Sequence, residues 1–115
     1  MYRENETAEA ARWLSEHKQP CIIVFYGKSL SPVIKSAQPV VVEPISDSVV
    51  VGKDDIVFCR VHKSYRLQKV IGVRKNGRRY AVGDNCGHTH GFIGKKDIYG
   101  RAVRILRRKK FDKEG

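Results

Sequence analysis

The apolar residues of the first 20 positions recur at helical spacing, whereas those beyond residue 20 form short strand-like runs. Between Thr7 and His17 they lie close to one face of a helix: Ala8, Ala11, Trp13 and Leu14. Thr7 fits an N-cap, because its hydroxyl accepts a hydrogen bond from the first turn, and Gln19-Pro20 fits the end of the helix. The pattern therefore predicts one helix over residues 7–17, with Trp13 packed in the core.

The remainder of the chain has the pattern of a small β protein. Six apolar or alternating runs predict strands at residues 21–25, 40–42, 55–61, 65–73, 79–82 and 97–106. Asn76-Gly77 separates two of these runs and predicts a hairpin, because both central residues of a type I′ turn need positive φ. Four glycines, Gly83, Gly87, Gly91 and Gly94, predict a loop. We expect a mainly β fold, a small bent sheet or barrel with one N-terminal helix.

The length of the chain agrees with a single folded unit. It has 115 residues, of which 41% are hydrophobic and 30% charged, a composition that excludes a disordered chain, a fibre and a multidomain protein. We divide it into an N-terminal helix at residues 1–20, a β domain at 21–106 and a basic C-terminal tail at 107–115.

Cysteine content and hydropathy bear on the location of the protein. The three cysteines, Cys21, Cys59 and Cys86, are an odd number, and a chain of this size has no need of a disulfide framework. No run approaches the length of a membrane span, and the acidic N-terminus lacks the apolar region of a signal peptide. We therefore expect a soluble, cytoplasmic protein with no membrane partner.

Positive charge is concentrated in the second half of the chain. The net charge is +11: residues 1–50 carry −1, residues 51–100 carry +7 and residues 101–115 carry +5. The basic residues of the first of these segments surround the predicted hairpin and are interleaved with Tyr65 and Tyr80: Arg60, Lys63, Arg66, Arg74, Lys75, Arg78 and Arg79. A solvated surface explains them, as does contact with nucleic acid through the hairpin and the tail.

A serine-containing turn follows the first predicted strand and has the form of a catalytic motif. It reads Gly27-Lys28-Ser29-Leu30-Ser31-Pro32, which resembles the Gly-x-Ser-Met-x-Pro box of the signal peptidases and the LexA-like self-cleavage domains of SOS repressors. Later boxes of that serine peptidase superfamily have counterparts in the same order, and the resemblance spans about residues 24–106. These counterparts are Asp54-Asp55-Ile56-Val57, Gln68-Lys69-Val70-Ile71-Gly72, Gly83-Asp84-Asn85 and Ile98-Tyr99-Gly100-Arg101-Ala102-Val103.

The resemblance implies a LexA/signal-peptidase-type β fold and a Ser-Lys dyad, with Ser29 as nucleophile and Lys69 as general base. A lysine accepts a proton at neutral pH only where burial favours its neutral form. Alignment on Gly72, however, places Gln68 in the position of the family's lysine. Because successive strand residues point to opposite faces, Lys69 needs a bulge or a register shift to reach Ser29.

Three functions remain open from the sequence. The first is a soluble serine peptidase that hydrolyses a polypeptide substrate with Ser29 and Lys69. The second is a catalytically inactive domain of the same fold that binds a protein partner or nucleic acid. The third uses a histidine as base: His62, His88 or His90. Repressor-like self-cleavage is not expected, because no Ala-Gly or Cys-Gly pair precedes Ser29.

A metal site is a weaker alternative. Cys59-x-x-His62 and Cys86-x-His88-x-His90 offer five soft ligands, and zinc needs about four. The first pair is predicted on a strand, where positions i and i+3 face opposite ways. We therefore expect neither a metal nor another cofactor.

Overall fold

The computed structural model describes residues 4–107 and confirms the mainly β fold with one N-terminal helix. Seven antiparallel strands form one sheet that curls into a half-barrel, in the order β1-β2-β7-β3-β4-β5-β6. Helix α1 spans Glu4–Arg12 and continues as a π-helical turn, Trp13–His17; a 3-10 turn occupies Lys95–Asp97. The strands are β1 (Cys21–Phe25), β2 (Gln38–Pro44), β3 (Ile56–Val61), β4 (Ser64–Arg74), β5 (Arg79–Gly83), β6 (Thr89–Ile93) and β7 (Ile98–Ile105).

The two faces of the curled sheet bury separate apolar cores. The helix-side core joins α1 to the sheet and to the loop after β1: Ala11, Leu14, Ile23, Phe25, Leu30, Ile34, Val40, Val42, Phe58 and Leu67. The inner core lies where the curl brings β6 over β3: Val51, Val57, Cys59, Val61, Val70, Tyr80, Val82, Ile93 and Ile98. Residues that alternate along β3 and β4 therefore contribute to different cores.

The helix is longer than predicted, and two of its residues have other roles than expected. It begins at Glu4, so Thr7 lies inside it and is not the N-cap. Trp13 is 42% exposed, stacks on His17 with ring centroids 4.2 Å apart, and donates its indole N–H to the carbonyl of Pro20. The buried face passes through Thr7, Ala11 and Leu14. Trp13 lies about 200° around the helix from Ala11 and therefore points away from the sheet.

The predicted loop after residue 83 contains strand β6, which the sequence analysis missed. β6 pairs with β5, with Tyr80 opposite Ile93 and Val82 opposite Gly91. A Cβ at Gly91 would lie 2.8 Å from the side chain of Val61, and a Cβ at Gly83 would collide with the carbonyl of His88. These glycines therefore allow close approach of neighbouring segments, and they do not mark a loop.

The predicted hairpin is confirmed between β4 and β5. Arg74 and Arg79 form the last cross-strand pair, and the connecting residues Lys75, Asn76 and Gly77 all have positive φ. The predicted bounds of β1 agree with the structure. β4 begins one residue earlier and ends one residue later than predicted, and β5 ends one residue later.

The structure also bears on the cysteines and on membrane association. Cys21, Cys59 and Cys86 are free thiols, and burial, aided by the charge of Asp97, raises the pKa of Cys59 to about 12. Among the described residues, no helix is long and apolar enough to cross a membrane. Residues 108–115, most of the predicted basic tail, lie outside the described part of the chain.

Gly100 should be essential to the packing of β7 against β2 and the helix. A Cβ there would collide with the side chain of Val42 and lie 2.6 Å from the carbonyl oxygen of Glu43. We expect Gly100→Ala to lower the free energy of unfolding by about 1–3 kcal/mol, the usual effect of overpacking. Urea denaturation measures this loss, with Gly52→Ala as control because its Cβ would meet no atom within 4 Å. Equal stability of the two variants would contradict this packing.

Candidate functional site

The loop that carries Ser29 is anchored by apolar residues that follow the serine. It leaves β1 through Gly27, whose φ is +116°, and it closes where the N–H of Ala37 donates to the carbonyl of Phe25. Leu30 is 1% exposed within the helix-side core, and Ile34 of the same core is fully buried. Ser29 itself is exposed. The local sequence thus buries Leu30 directly after the serine and leaves Ser29, with residues 26–28 before it, at the surface.

Asn85 connects the Ser29 loop to strand β4. Its backbone N–H donates to the carbonyl of Ser29 at 2.8 Å, and its side-chain amide donates to the carbonyl of Ser31 at 3.1 Å. Its amide oxygen accepts a hydrogen bond from the Lys69 amine at 3.3 Å. The loop therefore has a fixed position relative to Lys69, although the link passes through Asn85.

Lys69 is directed to partners other than the Ser29 hydroxyl. Its side chain is 24% exposed, and its amine lies 3.4 Å from a carboxylate oxygen of Asp54. Within residues 4–107, no hydrogen bond joins the Lys69 amine to the Ser29 hydroxyl. The amine is thus directed at the oxygen atoms of Asp54 and Asn85. The structure thus brings both predicted residues to Asn85 without joining them.

Gln68 leaves β4 on the opposite face from Lys69. Gln68 pairs with Val57 of the inner core, whereas Lys69 pairs with Ile56, which packs against the helix-side core. Gln68 is 3% exposed, and its amide oxygen lies 3.0 Å from Nδ1 of His90. Gln68, which the sequence resemblance aligns with a catalytic lysine, is therefore a buried, hydrogen-bonded amide.

A cavity of about 530 Å³ separates the Ser29 loop from the first half of β4. Residues 25–29 line one side, residues 63–68 the other, and Thr7 of α1 closes one end. Three cations border the cavity, Lys28, Lys63 and Arg66, and no carboxylate whose side chain is described lines it. Lys69 is not among the lining residues. The arrangement places Ser29 at a site that three cations border.

The loop between β5 and β6 is organised by Asp84. One carboxylate oxygen accepts the backbone N–H groups of Cys86 and His88, and the other accepts a hydrogen bond from the His88 ring at 2.9 Å. The ring of His90 lies 3.6 Å from the same oxygen. The backbone N–H of His88, with help from its ring, lowers the pKa of Asp84 to about 2. This network holds Asn85 in position to contact the Ser29 loop.

The three histidines proposed as bases have partners other than the serine. His88 contacts Asp84, His90 contacts Gln68 and Asp84, and His62 contacts the carbonyl of His90 at 3.1 Å.

Within the described residues, no three His, Cys, Asp or Glu side chains converge on a metal position. Cys59 is fully buried in the inner core, whereas Cys86 is exposed.

Two residues of this site, Asp84 and Asn85, were not assigned a role from the sequence. Both belong to the Gly83-Asp84-Asn85 segment, whose resemblance to a family box was the available signal. Comparison with known proteins adds nothing to that resemblance: no protein-family model matches the chain, and no curated protein matches it.

The Asp84 network should make stability depend on pH in the acid range. The folded pKa of about 2 lies below the ordinary value of 3.8, so the ionised carboxylate stabilises the fold above about pH 4. This stabilisation is lost as the pH falls from 4 towards 2. We therefore expect the difference in unfolding free energy between the unmodified protein and Asp84→Asn to shrink over that interval, as measured by urea denaturation.

The control for that experiment is Asp47→Asn, which removes an exposed carboxylate that makes no hydrogen bond or ion pair within the described residues. A difference for Asp84→Asn that stays constant between pH 4 and pH 2 would show that the carboxylate does not organise the loop.

Proposed function

We propose that this domain binds an extended polypeptide in the Ser29 cavity and does not hydrolyse it. The observation that carries the proposal is the cavity of about 530 Å³ between the Ser29 loop and residues 63–68. Its volume lies within the range of ligand-binding pockets. It also runs alongside a strand, which suits a ligand with an extended backbone.

The topology of the sheet supports an added peptide strand. β1 is an edge strand of the sheet and pairs only with β2 among the described strands. β5 pairs with β4 only from Lys69 onward, so no described strand continues β5 alongside the first half of β4. Extended peptides bind such sheet edges through backbone hydrogen bonds, and pockets beside the edge select their side chains.

The charge of the cavity indicates which peptides should bind. Lys28, Lys63 and Arg66 border it, and no carboxylate whose side chain is described lines it. A peptide with aspartate or glutamate side chains places its negative charge beside these cations and gains affinity and association rate. We therefore propose an acidic segment of a protein partner as the ligand. The three free thiols support a reducing, cytoplasmic location for this interaction.

The absence of hydrolysis is proposed from the chemistry available to Ser29. A general base must lie within hydrogen-bond reach of the hydroxyl that it deprotonates. Gln68, which lines the cavity, is an amide and is no base at neutral pH, and the Lys69 amine contacts Asp54 and Asn85. The serine therefore lacks a partner that accepts its proton.

Filling the cavity should weaken peptide binding. We expect Ser29→Trp to lower the affinity for short Asp- and Glu-rich peptides by about tenfold or more, because the indole occupies the space beside β4. Fluorescence anisotropy with labelled peptides measures this change. Ser48→Trp places the same side chain on an exposed loop outside the cavity and should leave the affinity unchanged. Equal affinities of the two variants would remove the cavity as the binding site.

Hydrolysis by Ser29 and Lys69 is the second candidate, favoured by one observation. A single residue, Asn85, contacts both the Ser29 carbonyl and the Lys69 amine, so the two groups lie on the same side of the domain. A rearrangement of Asn85 is the step that this mechanism requires.

A serine-reactive acylating probe separates the two candidates. We expect Ser29 to be labelled no faster than the exposed Ser48, because neither hydroxyl contacts a general base. Rapid labelling of Ser29, abolished in Lys69→Ala, would instead establish the Ser-Lys dyad. Labelling that persists in Lys69→Ala would exclude Lys69 as the base.

A further inference from the structure

A second charged surface lies at the far end of β4 from the cavity. It consists of the β4–β5 hairpin and the neighbouring strand β6, and we call it the hairpin face: Arg74, Lys75, Arg78, Arg79 and Phe92. Ser64 and Arg74 are the two ends of β4, about 33 Å apart at the usual rise per strand residue. The hairpin face is therefore a separate site, and its function does not depend on the ligand of the cavity.

The charge of the hairpin face is not neutralised within the described chain. Residues 56–83 contain eight lysines and arginines and no aspartate or glutamate. None of the four cations of the hairpin face forms an ion pair among the described residues. Arg74 and Arg79 are directly opposite each other on the two strands, and like charges in that position destabilise a sheet. An anionic partner would relieve this repulsion.

An exposed aromatic ring accompanies these cations. Phe92, Ala81 and Gly72 form one row across β6, β5 and β4, and Phe92 is 54% exposed. The guanidinium of Arg74 lies over Gly72, where a Cβ would be 2.5 Å from Nη1. Arg79 donates a hydrogen bond to the carbonyl of Phe92 at 3.3 Å. Arginine and an exposed aromatic ring are thus fixed on the same face of three neighbouring strands.

We propose that the hairpin face binds single-stranded nucleic acid. Such ligands need cations along the phosphate backbone and an aromatic surface on which an unpaired base stacks. The four cations of the hairpin face supply the contacts to phosphate, and Phe92 supplies the stacking surface. An acidic peptide would satisfy the charges but has no need of the exposed phenyl ring, and a base pair within a duplex cannot reach it.

The direct test is fluorescence anisotropy with a labelled oligothymidylate of about 15 nucleotides at about 50 mM salt. We expect binding that weakens steeply with added salt and that exceeds binding to a duplex of the same length. Phe92→Leu removes the ring and should weaken binding by about tenfold, whereas Phe92→Trp should restore it. Arg74→Gln combined with Arg79→Gln should weaken binding and reduce the slope of log K against log salt by about 1.4.

The matched control is Arg12→Gln combined with Arg104→Gln, which removes two exposed arginines outside the hairpin face and gives the same net charge. It should bind with the affinity of the unmodified protein. Equal loss in the two double variants would show non-specific attraction to a basic protein and overturn the proposal. Absence of binding at low salt, or an affinity that Phe92→Leu leaves unchanged, would also overturn it. Polyglutamate binding that Arg74→Gln combined with Arg79→Gln weakens more than it weakens oligothymidylate binding would assign the face to an acidic protein instead.

Discussion

The alternation of side chains along β4 determines which groups can meet at each site of this protein. β3 pairs with residues 64–69 of the strand and β5 with residues 69–74, so each residue has a fixed face. Leu67 and Lys69 lie on the face of the helix-side core, and Gln68 and Val70 lie on the face of the inner core. A one-residue difference in register would exchange these assignments, because neighbouring strand residues point in opposite directions.

A bulge near Ile71 interrupts this alternation and creates the hairpin face. Val70 pairs with Val82 and Gly72 pairs with Ala81, so one additional residue on β4 lies between the two pairs. Without this additional residue, Arg74 would face the inner core, as Gln68 and Val70 do. With it, Arg74 faces outward beside Arg79, and Val73 takes the inner position opposite Tyr80. Bulges commonly redirect side chains in this way.

The elements with local signals were predictable from sequence, and those that depend on distant contacts were not. The continuous apolar run of β1 and the turn at Asn76-Gly77 appear as predicted, since both are encoded by adjacent residues. β6 was missed because Gly91 is needed for close packing against Val61, which lies 30 positions earlier in the chain. Trp13 was misplaced because the helical pattern does not reveal which part of a broad apolar face meets the sheet.

The contrast between local signals and distant contacts also explains which parts of the candidate site were predicted. The position of Ser29 after a buried strand is local, and the sequence predicted it. The partners of Lys69 are not local: Asp54 lies on the turn before β3, and Asn85 lies on the loop after β5. Both reach Lys69 only because the sheet places these segments around the middle of β4.

The distribution of charge follows from the same strand. The cations beside the cavity lie near the start of β4, and those of the hairpin face lie at its end, about 33 Å away. Screening at physiological salt reduces interactions between exposed charges beyond about 8 Å, so the two clusters act independently. The cations of each cluster repel one another, and none of them forms an ion pair with a carboxylate among the described residues. A fold that tolerates two such clusters gains most from anionic partners that bind them separately, because each partner relieves only the repulsion that it covers.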